Sequence, residues 1–84
     1  MQEINPLDGL RGAVSEAIRV ELARRRMSQR ALAEATGLSQ SYIGRRLTGE
    51  MPFTTDDLAL VAAALGVSVL SLLPAAAADA VPAR

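Results

Sequence analysis

The side chains of this sequence that could do chemistry are hydrogen-bonding groups and fixed positive charges rather than nucleophiles. Cys and His are absent, which removes a thiolate, a disulfide framework, a His-containing zinc site and any side chain that ordinarily titrates near pH 7. Ser41 and Tyr42 carry hydroxyls, but no His, Lys or cluster of placed cations accompanies them to activate one for covalent catalysis. The sequence therefore excludes most enzyme classes, and no catalytic residue, metal, cofactor or small-molecule ligand is expected. What remains is recognition. Gln40 and Arg45 are the residue types able to present two hydrogen-bonding atoms at once to a flat partner, and neither has an evident packing duty.

Charge points the same way. The nine basic residues balance nine acidic ones, and every basic residue is Arg. Seven of them (Arg19, Arg24, Arg25, Arg26, Arg30, Arg45 and Arg46) fall within residues 19–46 against Glu21 and Glu34, while both ends of the chain are acidic. A chain of zero net charge with a basic middle can still offer one basic face to a polyanion. The plainer reading is a solvated helical surface.

These groups must be held by elements, and the sequence marks the elements clearly. At 84 residues the chain has room for one domain. Ala and Leu dominate, and aromatic residues are limited to Tyr42 and Phe53, a composition that favours helices over strands. One start signal recurs four times: an apolar residue, a hydroxyl residue, then an apolar residue four positions further on. The instances are Met27-Ser28 with Leu32, Leu38-Ser39 with Ile43, Phe53-Thr54 with Leu58, and Val67-Ser68 with Leu72. Each hydroxyl can cap free amide donors while the apolar pair forms a hydrophobic staple. Asp57, three residues after Thr54, completes a capping box. Helices are thus expected to begin near 29, 40, 55 and 69, and Gly37, Gly49 and Gly66 stand where a left-handed residue would end three of them.

An earlier helix is introduced by Asn5-Pro6, with an apolar stripe of Leu10, Val14, Ile18 and Leu22. Gly9 and Gly12 weaken its first turns, so fraying or a later start is expected there. The expectation is an all-α, compact five-helix bundle over residues 1–73, followed by a flexible Ala/Pro tail over residues 74–84. Leu58 to Ala78 carries no charge and is long enough to cross a bilayer. Gly66 and Pro74 interrupt it, and Leu58, Val61, Ala62 and Leu65 make the face of a soluble amphipathic helix, so no membrane segment is expected. With no export signal, the cytoplasm is the expected location.

The interval from Gln29 to Leu47 joins two short helices through a tight Gly37-Leu38-Ser39 turn. Such a pair holds its second helix out as a probe that fits the DNA major groove. With Ile43 facing inward at about 100° per residue, Ser41, Arg45 and Thr48 point most nearly outward, flanked by Gly44 and Tyr42. Gln40 lies at the tip. Tyr42 has two readings here: packing against the helix flank, which is favoured, or stacking near a thymine methyl.

Residues from about 14 to 73 resemble the helix-turn-helix family of phage Cro and repressor proteins and their bacterial relatives, the lambda-repressor-like group. The likeness is carried by Met27-Ser28-Gln29, Ala31-Leu32-Ala33, Thr36 through Ile43, Leu47-Thr48-Gly49-Glu50, and Leu58 through Ala63-Ala64-Leu65-Gly66-Val67-Ser68 to Leu72-Leu73. The resemblance implies a lambda-repressor-like bundle that binds double-stranded DNA. Gln40, Ser41, Gly44 and Arg45 are the expected base contacts, Gln suiting adenine and Arg guanine. Ser28, Gln29, Arg30, Ser39, Arg46 and Thr48 are the expected phosphate contacts, with helix-start amides assisting. Ser28 and Ser39 are equally explained by capping. Gly44 costs helix stability and is read as permitting close approach to the duplex.

Two positions depart from the family pattern. Arg46 stands where an apolar residue is frequent, and Leu47 where many members carry a Glu that pairs with an Arg at the position of Leu22. Replacing both charged partners by apolar ones avoids a desolvation cost, so Leu22 is expected to pack against Leu47 and Arg46 to lean outward. The resemblance also implies a homodimer on a pseudo-palindromic operator, since one helix reads few base pairs. Val69, Leu70, Leu72 and Leu73 are the expected interface, being more apolar surface than a short helix can bury. A small phage-type repressor, Cro-like or immunity, is the leading reading, with no ligand-sensing module expected after residue 73. The alternatives are an antitoxin-type autoregulator whose main partner is a toxin, and a protein-interaction module on the same fold.

Overall fold

The computed structural model describes residues 6–73, with side chains from Gly9 onward. The expected cap Asn5 and the expected tail, residues 74–84, lie outside the described residues. Four α-helices follow one another: α1 (Pro6–Arg25), α2 (Gln29–Thr36), α3 (Gln40–Leu47) and α4 (Thr55–Leu65), then a 3-10 turn at Val69–Leu72. Among the described residues there is no strand. All four expected starts are found. The fifth expected helix is one 3-10 turn rather than an α-helix, because Ser68 makes no side-chain cap bond and Leu73 already returns to extended backbone.

The local signals act as their chemistry requires. Ser28 accepts from the Ala31 amide at 3.0 Å, Ser39 from the Tyr42 amide at 3.1 Å, and Thr54 and Asp57 form the reciprocal capping box. Gly37 (φ 77) and Gly66 (φ 73) are the left-handed residues that close α2 and α4, and Gly49 (φ 84) takes the same conformation just past the C-cap of α3. α1 ends differently. Arg26 takes the left-handed conformation (φ 52), its amide donates to Ala23 C=O and the Met27 amide donates to Leu22 C=O. This is the double closure usually built on glycine, here carried by an arginine. α1 also runs unbroken from Pro6 through Gly9 and Gly12, so the expected later start is corrected.

One core joins the elements. Val14, Ile18 and Leu22 of α1 meet Leu32 of α2, Ile43 and Leu47 of α3, and Val61 and Leu65 of α4. Leu22 and Leu47 are both buried in that cluster, as the paired apolar replacement implied. Leu72 is fully buried within it, which removes it from the expected dimer interface. Leu10, assigned to the α1 stripe, is 42% exposed instead and lines an open apolar cleft of about 310 Å³ with Phe53 and Leu73. The stripe there faces Pro52, Phe53 and Leu73 across the open cleft and is not closed over by them.

Candidate nucleic-acid interface

α2, the turn and α3 form the helix-turn-helix expected from sequence. The turn is closed from inside by Thr36. Its hydroxyl donates to Leu32 C=O at 2.9 Å and accepts from the Leu38 amide at 3.3 Å, so a buried polar group is fully used. Leu38 packs against the core and ties the turn down.

α1 supports the end of α3. The last carbonyls of any helix lack partners within it, and those of α3 are taken up from elsewhere. The fully buried Ser15 donates its hydroxyl to Arg46 C=O at 2.6 Å. Arg19 donates to Leu47 C=O while pairing with Glu16 at 2.6 Å. The Met51 amide reaches Arg45 C=O at 3.2 Å, and the Gly49 amide reaches Arg46 C=O at 3.1 Å. Neither Ser15 nor Arg19 was identified from sequence, since their partners lie about thirty residues away and no local pattern records them.

On the outer side, Gln40, Ser41, Arg45 and Thr48 are exposed. Among the described residues the Arg45 side chain makes no hydrogen bond or ion pair, and it is exposed on the face opposite Ile43 and Leu47. Thr48 is engaged by its own backbone, donating to Arg45 C=O at 2.9 Å and accepting from the Glu50 amide at 3.3 Å. Gln29, Gln40 and Gly44 come together: Gln29 Nε2 donates to Gln40 C=O at 3.3 Å, and a methyl group on Gly44 would stand 2.9 Å from that same nitrogen. Gly44 therefore has a partner inside the chain, the Gln29 amide, which sequence reading did not find. Ser28 and Ser39 serve as caps, and Arg30 pairs loosely with Glu34 at 3.9 Å in solvent.

Arg46 does not lean outward. Its guanidinium lies over the Tyr42 ring, 3.4 Å from the ring centre, and its Nε stands 3.7 Å from Asp57 Oδ2, with the side chain only 11% exposed. The charge points to the carboxylate because Asp57, at the start of α4, is buried and draws a cation inward. The Tyr42 hydroxyl donates to the same carboxylate, 2.9 Å from each oxygen. Tyr42 thus takes the packing reading, and the bond to Asp57 holds its phenol above its ordinary pKa, with burial and the nearby negative charge adding to the effect and Arg46 opposing it. Of the remaining arginines near the α1 end, Arg25 donates to Leu65 C=O at 3.1 Å and pairs with Glu21, so its cation is committed to the fold. Arg24 and Arg26 are exposed.

At the other end of the chain, Val69 and Leu73 are 37% and 38% exposed and Leu70 is 77% exposed. No described helix is long and apolar enough to cross a membrane.

Comparison with known proteins agrees with this geometry. A family model described as Helix-turn-helix matches residues 17–72. The crystal structure of the clp gene regulator ClgR from C. glutamicum is 32% identical, covering 95% of this chain and 100% of that one at a TM-score of 0.75. A hypothetical transcription factor, NHTF from Neisseria, is 25% identical over 94% of this chain and 93% of its own, also at 0.75. The restriction-modification controller protein C.AhdI from Aeromonas hydrophila shares the fold at a TM-score of 0.72 and 24% identity, covering 75% of this chain and 96% of that chain. No curated protein matches the chain.

Proposed function

This chain belongs to the helix-turn-helix family, and from that premise we infer that it is a DNA-binding transcription regulator. The observation that carries the inference is the outer face of α3. Arg45, Gln40 and Ser41 leave the helix into solvent, whereas the neighbouring Arg46 is consumed by the fold. A free guanidinium beside an amide and a hydroxyl matches the donor and acceptor pattern of base edges in the major groove. Gln29 and the amides at the starts of α2 and α3 suit phosphate. Arg46, by contrast, supports the helix and leaves the set of phosphate contacts.

The finer reading is a repressor that binds a pseudo-palindromic operator as a homodimer, in the manner of a small phage-type Cro-like or immunity regulator. Exposed Val69, Leu70 and Leu73 are the apolar surface that supports a dimer. Two copies present two recognition helices, which multiplies specificity. ClgR is described as a clp gene regulator, and this chain is similar to it over nearly its whole length.

Selection from a random double-stranded DNA pool at two salt concentrations tests the proposal. An enriched inverted repeat is the expected result. Arg45→Ala then costs about 1–3 kcal/mol on the enriched site and relaxes preference at its base pair. Equal loss on all DNA would remove Arg45 from the base-reading set, and the absence of any enriched sequence would overturn the function.

A further inference from the structure

Asp57 is 4% exposed, and its one carboxylate serves two helices. Within its own helix it accepts from the Thr54 amide through Oδ2 at 2.9 Å, which completes the α4 cap. Across the fold both oxygens accept from the Tyr42 hydroxyl, and Arg46 stands beside Oδ2. The cap needs a single oxygen, so the second is committed to α3 alone. Arg46 Nε is buried without a hydrogen bond. The guanidinium is held by charge, by the Tyr42 ring and by a bond from its Nη1 to the Tyr42 carbonyl of its own helix at 3.3 Å, so the directional part of the link to α4 is the hydroxyl bond.

Tyr42 and Arg46 are four residues apart, hence on one stripe of α3. Anchoring two points of a stripe on an eight-residue helix fixes the rotation of that helix about its own axis. Ser41 and Arg45 each precede an anchor by one residue, and about 100° of turn carries them away from Asp57. Ser15 and Arg19 act at the terminal carbonyls and hold the end of α3 against α1.

We propose that Asp57 is a positioning residue for DNA reading: through Tyr42 and Arg46 its carboxylate sets the rotation of α3, and with it the direction in which Ser41 and Arg45 leave the helix. This rests on the reading of α3 as the DNA-contacting helix. Tyr42→Phe is the informative variant, because it keeps the ring under Arg46 and leaves the reciprocal bonds of Thr54 and Asp57 intact.

The experiment compares native chain, Tyr42→Phe, Arg45→Ala and the double variant on the sequence enriched by the native chain and on a scrambled duplex. Loss of folded protein lowers both affinities alike, so the ratio between the two DNAs isolates positioning. Tyr42→Phe is expected to lower that ratio about tenfold, the scale of one misdirected base contact. The double variant is expected to lose less than the two single losses added together, since part of the hydroxyl's effect is carried by Arg45. Phenolate absorbance supplies a second readout, because Tyr42 is the chain's one Tyr and Trp is absent. It should titrate above 10.0 in the native chain and fall back in Asp57→Asn. If Tyr42→Phe reads the enriched sequence with the native ratio, or the native phenol titrates at its ordinary value, the positioning role is overturned while the DNA-binding reading stands. If the native chain enriches no sequence, both fall together.

Discussion

Arg45 and Arg46 carry the same guanidinium one residue apart on α3 and meet opposite surroundings. A step of about 100° takes the first into solvent and the second onto the Tyr42 ring beside Asp57. The projection that placed Arg45 outward needed only the position of Ile43. The placement of Arg46 required Asp57, fifteen residues from Tyr42 and invisible to periodicity. Two predictions belong at this scale. Tyr42 is held protonated in the folded chain, and its folded pKa lies above the ordinary value near 10. A raised folded pKa means that the contribution to stability is complete below the unfolded pKa and is lost as pH rises through the folded one. Thermal unfolding scans should therefore show a decline in alkaline solution that Tyr42→Phe abolishes. Gly44→Ala should raise the melting temperature, since Ala in a helix interior is worth up to about 1 kcal/mol over Gly. Its methyl displaces the flexible end of Gln29 from Gln40 C=O, so DNA affinity should fall in the same variant. Calorimetry paired with a binding titration separates the two effects.

At the scale of elements, the starts of α2, α3 and α4 were legible because a cap and its amide are three residues apart and need nothing else. The end of α1 was not legible. Its left-handed residue is Arg26, and no rule of residue type marks an arginine there. A side chain in that conformation costs about 1–2 kcal/mol, so Arg26→Gly should stabilise the chain by about 0.5–1 kcal/mol in a denaturant titration, after the entropy glycine adds to the unfolded state is subtracted. A decrease would show that the closure draws on the arginine side chain. The last 3-10 turn was over-read as a helix for a related reason: Ser68 stands in the right place, but its cap bond is absent.

For the whole molecule, the 3-10 turn divides the expected interface into two kinds of residue. Leu72 is fully buried and Leu70 is 77% exposed. Leu72→Ala should cost about 2–5 kcal/mol of stability, as for other core leucines. Leu70→Ser should leave the melting temperature of the monomer unchanged and weaken self-association, read by sedimentation equilibrium over a range of concentrations. Unaltered self-association in Leu70→Ser would move the proposed dimer to another surface. The basic middle of the sequence is likewise divided by the fold, which commits Arg19, Arg25 and Arg46 to internal partners and leaves Arg45 free for a ligand.

The sequence by itself determined the four α-helices, the starts of α2, α3 and α4, the left-handed glycines Gly37, Gly49 and Gly66, the helix-turn-helix and the outward face of α3. These features follow from contacts within about four residues and from the helical period, both written directly in residue order. Tertiary structure alone decided how α3 is held. Ser15 reaches Arg46 across 31 residues, Arg19 reaches Leu47 across 28 and Tyr42 reaches Asp57 across 15. Orphan helix carbonyls and a buried carboxylate must find donors somewhere. Which donors they find depends on which helices the core brings side by side, and that is a property of the packed chain.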